Sequence, residues 1–446
     1  MLYRFIVQNF RSFRDRNEIS FYPKGQEPQS HVADASTQIP VLKTAVLYGP
    51  NASGKTKFIQ AIDFARSIIL GECNILSLAN QCYKLDKDSI NKPTLFVFEI
   101  KIEGNLFQYA FALDMKKSSV VEESLSVWNA DDKAFNYIYS REQDNTIAET
   151  DIVTFNDDLI IDVDKAVFDV FKKEIEKTQE TLALTVLAKV KSLSSTIGTY
   201  VKTVYKWFSD LVILFPSTRY NLLGAVRNGT EDANSVYKAY FKTFGIDIKE
   251  IALQKVSFEM LRVSSDMQAD MKKELLQHDG HDAVAQLRGR NTDYLVRLNE
   301  NKELEAFEVR FVHERNALKT SLSKTDESDG TMRLFDFIPL YAMLANESRV
   351  VLIDEIDRSM HTLLTRYLIE QFFKAAEGKN SQLICTTHDV MLLSENLFSN
   401  SEVWFVNKKD EVSTIYPLSK YDLSKLSSTN LERNYLLGRF EATPKF

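Results

Sequence analysis

Gly49-Pro50-Asn51-Ala52-Ser53-Gly54-Lys55-Thr56 matches G-x-x-x-x-G-K-[ST], a spacing that suits a phosphate chain. Glycines at both ends let successive backbone N–H groups turn toward phosphate oxygens, and the start of a helix adds its positive dipole end. Lys55 is then placed to reach β- and γ-phosphates, with the Thr56 hydroxyl on magnesium. The site needs a buried strand before the loop and an amphipathic helix after it. Both are legible: Thr44 to Tyr48 is apolar and stops at glycine, and Phe58, Ile59, Ile62, Phe64, Ile68 and Ile69 recur at near-helical spacing up to about Leu70.

A second constellation lies some 300 residues on. Arg349 to Asp357, RVVLIDEID, is an apolar strand ending in two adjacent carboxylates. Asp354 is placed to hold the magnesium water shell and Glu355 to orient or deprotonate an attacking water. A helix N-cap would account for one acid after a strand, though not for a second after a wholly apolar run. The next strand ends in Thr386-Thr387-His388-Asp389, where a neutral His388 imidazole can donate one hydrogen bond to a γ-phosphate or to water. Between the two halves, KTDESDGTMRL puts Ser328 and Gly330 at the mouth of a helix, an anion-binding geometry that taken alone is also an ordinary capping sequence.

The elements that position these groups come from both ends of the chain. Short strands are predicted at Leu2–Val7 and Glu18–Phe21, and an antiparallel meander over Leu95–Trp128. The region from about 150 to 250 reads as mainly helical, with FKKEIEKTQETLALTVLAKVKSL the clearest run. Strands return at Tyr294–Leu298 and Leu304–Val312. A helix follows over Thr331–Ala345, then a strand at Val350–Ile353, a helix over Leu363–Ala375 and a strand at Leu383–Thr386. That closing alternation is the pattern of a parallel sheet covered by helices. The expected class is α/β: residues 1–145 form one half of a nucleotide-binding head with an antiparallel β subdomain, 146–290 a mainly helical insertion, and 291–446 the other half.

Composition narrows the function. A chain of 446 residues buries its core without disulfides, and its 3 cysteines (Cys73, Cys82, Cys385) form no C-x-x-C pair, which suits a reducing, cytoplasmic setting. No run approaches a membrane span, and the start shows no signal-peptide core. A net charge of -7 gives no bulk attraction to nucleic acid, so any DNA contact is local.

The order of these motifs resembles the ABC-type ATPase heads of the SMC and RecF class. The opening IVQNFRSFRD looks like the start of that class. ESDGT followed by MRL, and IDEIDRSMH, are similar to AAA-type ATPases of bacterial abortive-infection systems. The segment Asn434 to Phe446, NYLLGRFEATPKF, resembles their ending. The family is the RloA and AriA kind, related to the ATPase half of OLD proteins. The likeness covers roughly the first 130 and last 135 residues. Departures stand at Glu441 and Thr362, where glycine and proline are usual, and at Asp329, where transporter ATPases have glycine.

The resemblance implies a Mg²⁺-dependent ATPase in which Ser328 and Gly330 complete the site of a facing subunit, in a homodimer or higher oligomer. Asp357 would sit at the same interface and Arg11 would approach nucleotide. Gln81 is a candidate Q-loop glutamine. It further implies a sensor or regulator in anti-phage defence, triggered by a phage protein and controlling a separate effector, a Toprim-type nuclease, since few residues follow His388. A RecF-like DNA repair ATPase is the alternative, with DNA as partner; a transporter ATPase fits the split poorly. Three features read as local structure: the QHDGHD loop with His278 and His281, His313, and the Trp207, Phe208 and Phe215 cluster.

Overall fold

The computed structural model describes the chain except residues 34–38, 74–80, 144–150, 191–192, 194, 218–232, 262, 278–283, 289–291, 300, 395, 426–429 and 444–446. The histidines of QHDGHD and the last three residues of the chain therefore lie outside the described residues. Two compact units emerge: residues 1–216, 348–357 and 369–446 form the first, and 217–347 with 358–368 the second. These cuts differ from the three expected stretches. The helices between residues 150 and 216 belong to the first unit, and those at 233–243 and 265–277 to the second.

The first unit contains two large sheets. Strands β1 (Leu2–Gln8), β2 (Asn17–Ser20), β6 (Thr94–Ile102), β7 (Asn105–Asp114), β8 (Ser119–Asn129), β9 (Ala134–Gln143) and β10 (Asp151–Phe155) form an antiparallel sheet in the order β10-β9-β8-β7-β6-β1-β2. β3 (Val32–Ala33) and β4 (Val41–Leu42) follow β2 in the chain and pair with each other. The second sheet joins β5 (Thr44–Tyr48), β11 (Val212–Leu214), β17 (Val350–Ile353), β18 (Gln382–Thr386), β19 (Val403–Lys409) and β20 (Val412–Pro417) in the order β11-β17-β18-β5-β19-β20. Its pairs are parallel except β19 with β20. β5, β17 and β18 are buried along their whole length, as strands covered on both faces must be. Helix α1 (Lys55–Leu70) lays its apolar face, including Phe58, Ile62 and Phe64, into the core that Phe5 and Phe96 supply from the antiparallel sheet and Phe10 from the turn after β1.

The meander, the short N-terminal strands and every closing element form where the residue patterns place them. One stretch does not. The run 171–193, expected to be helical, is broken: α2 (Asp162–Lys177) ends at Lys177 and α3 (Ala183–Ala188) begins six residues later. Two buried charges account for the break. The Arg141 guanidinium takes the Thr178 and Thr181 carbonyls, and the Glu123 carboxylate takes the Ala183 and Leu184 N–H groups. A continuous helix would use those carbonyls and N–H groups for its own ladder and deny them to the two buried ions, which is costlier than a broken turn. α4 (Thr196–Ser209) packs Phe208 edge-on to Phe98 and next to Trp207, so that aromatic cluster is core. The stretch 146–290 also carries strands, among them β11, which extends the parallel sheet by pairing with β17.

The second unit is built on β12 (Glu250–Val256), β13 (Val284–Arg288), β14 (Asp293–Leu298), β15 (Leu304–Arg315) and β16 (Leu318–Leu322), all antiparallel neighbours. Phe311 of β15 meets Phe335 of the helix Asp329–Asn346 edge-on at 5.2 Å, and Tyr237 stacks on the same ring at 4.9 Å. The helix Thr362–Ala375 contributes its start to the second unit and its remainder to the first.

Candidate functional site

β5 runs between β18 and β19 and delivers Gly49 at its carboxyl end. A Cβ on Gly49 would run into the Val406 carbonyl of β19, and Gly54, at φ 120, lies where a Cβ would come 2.5 Å from Ser413 Oγ. Those glycines are required by what surrounds the loop as well as by what the loop binds. Ser413 Oγ donates to the Ser53 carbonyl at 2.6 Å, fixing the turn from below. The Lys55 ammonium is buried and folded onto its own loop, donating to the Gly49 carbonyl at 2.6 Å and the Pro50 carbonyl at 3.0 Å. Burial pulls its pKa down to about 8, against the opposing charges of Asp354, Asp357 and Glu355.

The acidic strand ends at the same place. Asp354 Oδ1 accepts from the Thr386 hydroxyl at 2.7 Å and the Thr56 hydroxyl at 3.2 Å, so three motifs far apart in the chain share one oxygen. Glu355 adopts φ 50, a left-handed conformation costly for a residue with a side chain, and its N–H is held by the Thr386 hydroxyl at 2.8 Å. That turn brings Glu355 Oε1 to 3.9 Å from His388 Nε2, while His388 Nδ1 lies 3.4 Å from Lys55 Nζ. Asp357 accepts the His388 N–H at 3.3 Å. Burial, then the neighbouring Lys55 charge, lowers the His388 pKa and keeps the imidazole neutral at pH 7.

Arg11 belongs to the same unit and is held by glutamines: its N–H and Nε bond the Gln81 carbonyl and Oε1 at 2.7 and 2.8 Å, and Nη1 bonds Gln60 Oε1. Its pKa is lowered by burial; that of Lys57, on the first turn of α1, is lowered by burial first and then by the Arg11 charge. Ser328 and Gly330 lie in the second unit. Ser328 caps the helix Asp329–Asn346, accepting the Thr331 N–H at 3.1 Å, and a Cβ on Gly330 would come 2.9 Å from the Ser359 carbonyl. His313, read as a local hydrogen-bonding residue, bonds Glu327 Oε1 at 2.5 Å, directly before the signature serine.

The residues present fit a magnesium nucleotide. Ser53 Oγ, Ser12 Oγ and Tyr48 Oη are buried at the loop and find no hydrogen-bond partner among the described residues. Buried polar atoms without a partner are uncommon and call for one, which water or a bound nucleotide can supply. Asp354 and Thr56 supply the one carboxylate and one hydroxyl magnesium takes when phosphates and water fill the remaining positions. Among the described residues no cluster of three metal-ligating side chains forms a stand-alone metal site. Gly49–Ser53 and His388 open onto a cleft of about 1340 Å³, larger than the ~300–1,000 Å³ of most small-molecule pockets. Sequence reading missed two groups here. Ser413 sits in a strand with no motif, and the Thr386 hydroxyl stood in the quoted segment without a role, although a hydroxyl at a strand end beside an acid pair was the available signal.

Residues 45–394 match the family described as AAA domain, putative AbiEii toxin, Type IV TA system. The chain belongs to that family, a class of AAA-type ATPases. Among solved structures it is similar to the SMC head domain from Thermotoga maritima, at 11% identity and a TM-score of 0.41 over 93% of this chain and 98% of that one. It is also similar to an SmcHead bound to the C-winged helix domain of ScpA, at 12% identity and a TM-score of 0.40 over 94% and 99% of the two chains. No curated protein matches. No helix among the described residues is long and apolar enough to cross a membrane.

Proposed function

We propose that this chain is a magnesium-dependent ATP hydrolase that works as a sensor or regulator in anti-phage defence and controls a separate effector. The observation that carries the hydrolase reading is the shared oxygen: Asp354 Oδ1 joins the Thr56 and Thr386 hydroxyls while Glu355 and His388 converge beside Lys55. Lys55 exchanges its loop carbonyls for β- and γ-phosphate oxygens, a charge-assisted bond stronger than the ones it leaves. Thr56 and Asp354 hold magnesium, which when bound supplies charge neutralisation on the phosphate oxygens. Glu355 accepts a proton from the attacking water, and His388, neutral at pH 7, orients it. Arg11, with Gln81 as a Q-loop glutamine, is the outer contact of the same reading. Ser328 and Gly330 act on nucleotide held by a second copy, so a homodimer or higher oligomer is the working form. The family's description as a putative AbiEii toxin of a Type IV TA system supports the defence setting, with a Toprim-type nuclease as candidate effector and a phage protein as candidate trigger.

Glu355→Gln tests the hydrolase. It is expected to bind MgATP and lose about 100-fold or more of its turnover, since the amide cannot take the proton. Wild-type turnover would move the base elsewhere. Mixing Ser328→Arg with Lys55→Ala chains tests the composite site: each is inactive alone, and a mixed dimer regains one intact site. Native mass measurement must show the mixed species, and activity should follow their fraction. ATP-dependent retention on gapped DNA by Glu355→Gln would favour a RecF-like repair ATPase instead.

A further inference from the structure

The segment after β20 has no role in the reaction as described, yet it forms a wall of the nucleotide cleft. Tyr435, Leu436, Glu441 and Thr443 line the same space as Gly49–Ser53 and His388. The segment is tied into a knot by hydroxyls and one amide that bond its backbone carbonyls. Tyr435 Oη donates to the Ala442 carbonyl at 2.8 Å, Tyr416 and Tyr421 hydroxyls donate to the Phe440 carbonyl at 2.7 and 3.2 Å, and the Arg439 N–H reaches the Asn434 carbonyl at 3.1 Å. Phe440, Ala442 and Asn434 are fully buried.

The knot closes on the two strands that shape the loop. Phe405 of β19 is stacked on Phe440 at 5.0 Å and on Tyr435 at 5.9 Å, and Tyr48, the last residue of β5, packs against Tyr435 at 6.1 Å. Phe405 and Tyr48 are register partners across β19 and β5. The next residue on each strand makes the contact that fixes the loop, since Val406 presents the carbonyl against which Gly49 is fitted. One aromatic pair thus clamps both strands a single residue before the phosphate-binding turn.

We propose that residues 430–443 are a clasp of the nucleotide site, in which Tyr435 and Phe440 are positioning residues that hold β5 and β19 in the register where Gly49–Ser53 can wrap a phosphate chain. The proposal rests on the nucleotide reading above and adds a requirement to it: affinity for ATP depends on side chains nearly 400 residues from Lys55 in sequence. The ring does the positioning and the hydroxyl secures the knot.

The test is calorimetric binding of MgATP to the full chain and its variants, at a temperature where thermal melts show each to be folded. Tyr435→Ala is expected to weaken MgATP binding about tenfold or more, as KM rises while kcat at saturation stays near wild type. Tyr435→Phe keeps the ring and restores affinity to within about twofold. A merely structural tyrosine would lower the melting temperature without moving the affinity of the folded protein, and that result overturns the clasp. If Tyr435→Ala does not fold, hydrogen exchange on wild type decides. MgATP should slow exchange of the Gly438, Arg439 and Glu441 amides, and unchanged exchange there overturns the proposal. Wild-type chain that fails to bind MgATP at all would instead bring down the nucleotide reading, and the clasp with it.

Discussion

The loop Gly49–Thr56 and the segment around Ser328 are held by opposite means. Gly49–Thr56, Asp354 and His388 stand at the ends of β5, β17 and β18, strands buried at every position, and their geometry is fixed by sheet pairing and by hydroxyls that bridge backbone and carboxylate. Ser328 follows β16, whose residues are largely exposed, and is held by charge. Lys324 bonds both oxygens of Asp293 on β14 at 2.8 Å, His313 on β15 bonds Glu327, and Asp326 closes a capping box with Ser323. A site set by buried backbone is formed before its ligand arrives. A segment set by ion pairs is sensitive to whatever perturbs the sheet that carries them, in keeping with the contact to a second copy proposed for Ser328.

The largest expected effect breaks the first region alone. Lys55→Ala should weaken MgATP binding about 100-fold, the upper range for a charged hydrogen bond, with no change in melting of the second unit. Asp293→Asn is its counterpart. Its side chain is 9% exposed and that of Lys324 10%, so the substitution strands a buried ammonium. The second unit should lose about 3 kcal/mol of stability in denaturant melts, turnover should fall, and MgATP affinity should stay within about twofold. Affinity falling in step with turnover would mean that the two regions are not separately held.

The contrast explains what the sequence disclosed. The strands that carry the loop, the acid pair and His388 were legible because a buried parallel strand must be continuously apolar and ends at polar residues, so each motif announced its own element. The cores of helices 55–70 and 329–346 were legible from spacing for the same reason. What stayed hidden was held by single long-range contacts. Nothing in FKKEIEKTQETLALTV shows that Glu123 and Arg141 split it, nothing in VSTIYP marks Ser413, and β11 is three residues long. The signature's tethers were hidden too, because His313 and Asp293 carry no pattern until β14 and β15 pair.

A titration sharpens the same comparison. Burial lowers the Lys55 pKa from 10.5 to about 8, so between those values the unfolded chain binds the proton that the folded, nucleotide-free chain has released. Stability should therefore rise with pH across that window as far as Lys55 contributes. Phosphate restores the charge. Binding of MgATP at pH 8 should take up about half a proton, measured by calorimetry in buffers of different ionisation enthalpy, and affinity should fall about fivefold from pH 8 to pH 9. His388 is depressed below its usual value and stays neutral throughout this range. Uptake should be absent at pH 6.5, where Lys55 is already charged, and Asp293→Asn should leave the whole profile unchanged.

The smallest effect concerns two residues in left-handed backbone, one in each region: Glu441 at φ 56 in the clasp and Ala317 at φ 64 in the turn between β15 and β16. A side chain there costs about 1–2 kcal/mol, part of which a glycine returns as added freedom in the unfolded chain, so Glu441→Gly and Ala317→Gly should each stabilise by roughly 0.5–1 kcal/mol. Their consequences should differ. Glu441 lines the cleft and sits in a knot that grips β5 and β19, so relief of strain there should raise the melting temperature and tighten MgATP binding slightly. Ala317 lies in an exposed hairpin turn, and Ala317→Gly should raise the stability of the second unit with MgATP affinity unchanged. If both variants stabilise but neither changes affinity, position 441 is only a strained turn, and the clasp acts through its aromatic rings alone. If Ala317→Gly tightens MgATP binding as much as Glu441→Gly does, the two regions share one cooperative fold and the division drawn between buried backbone and ion pairs fails.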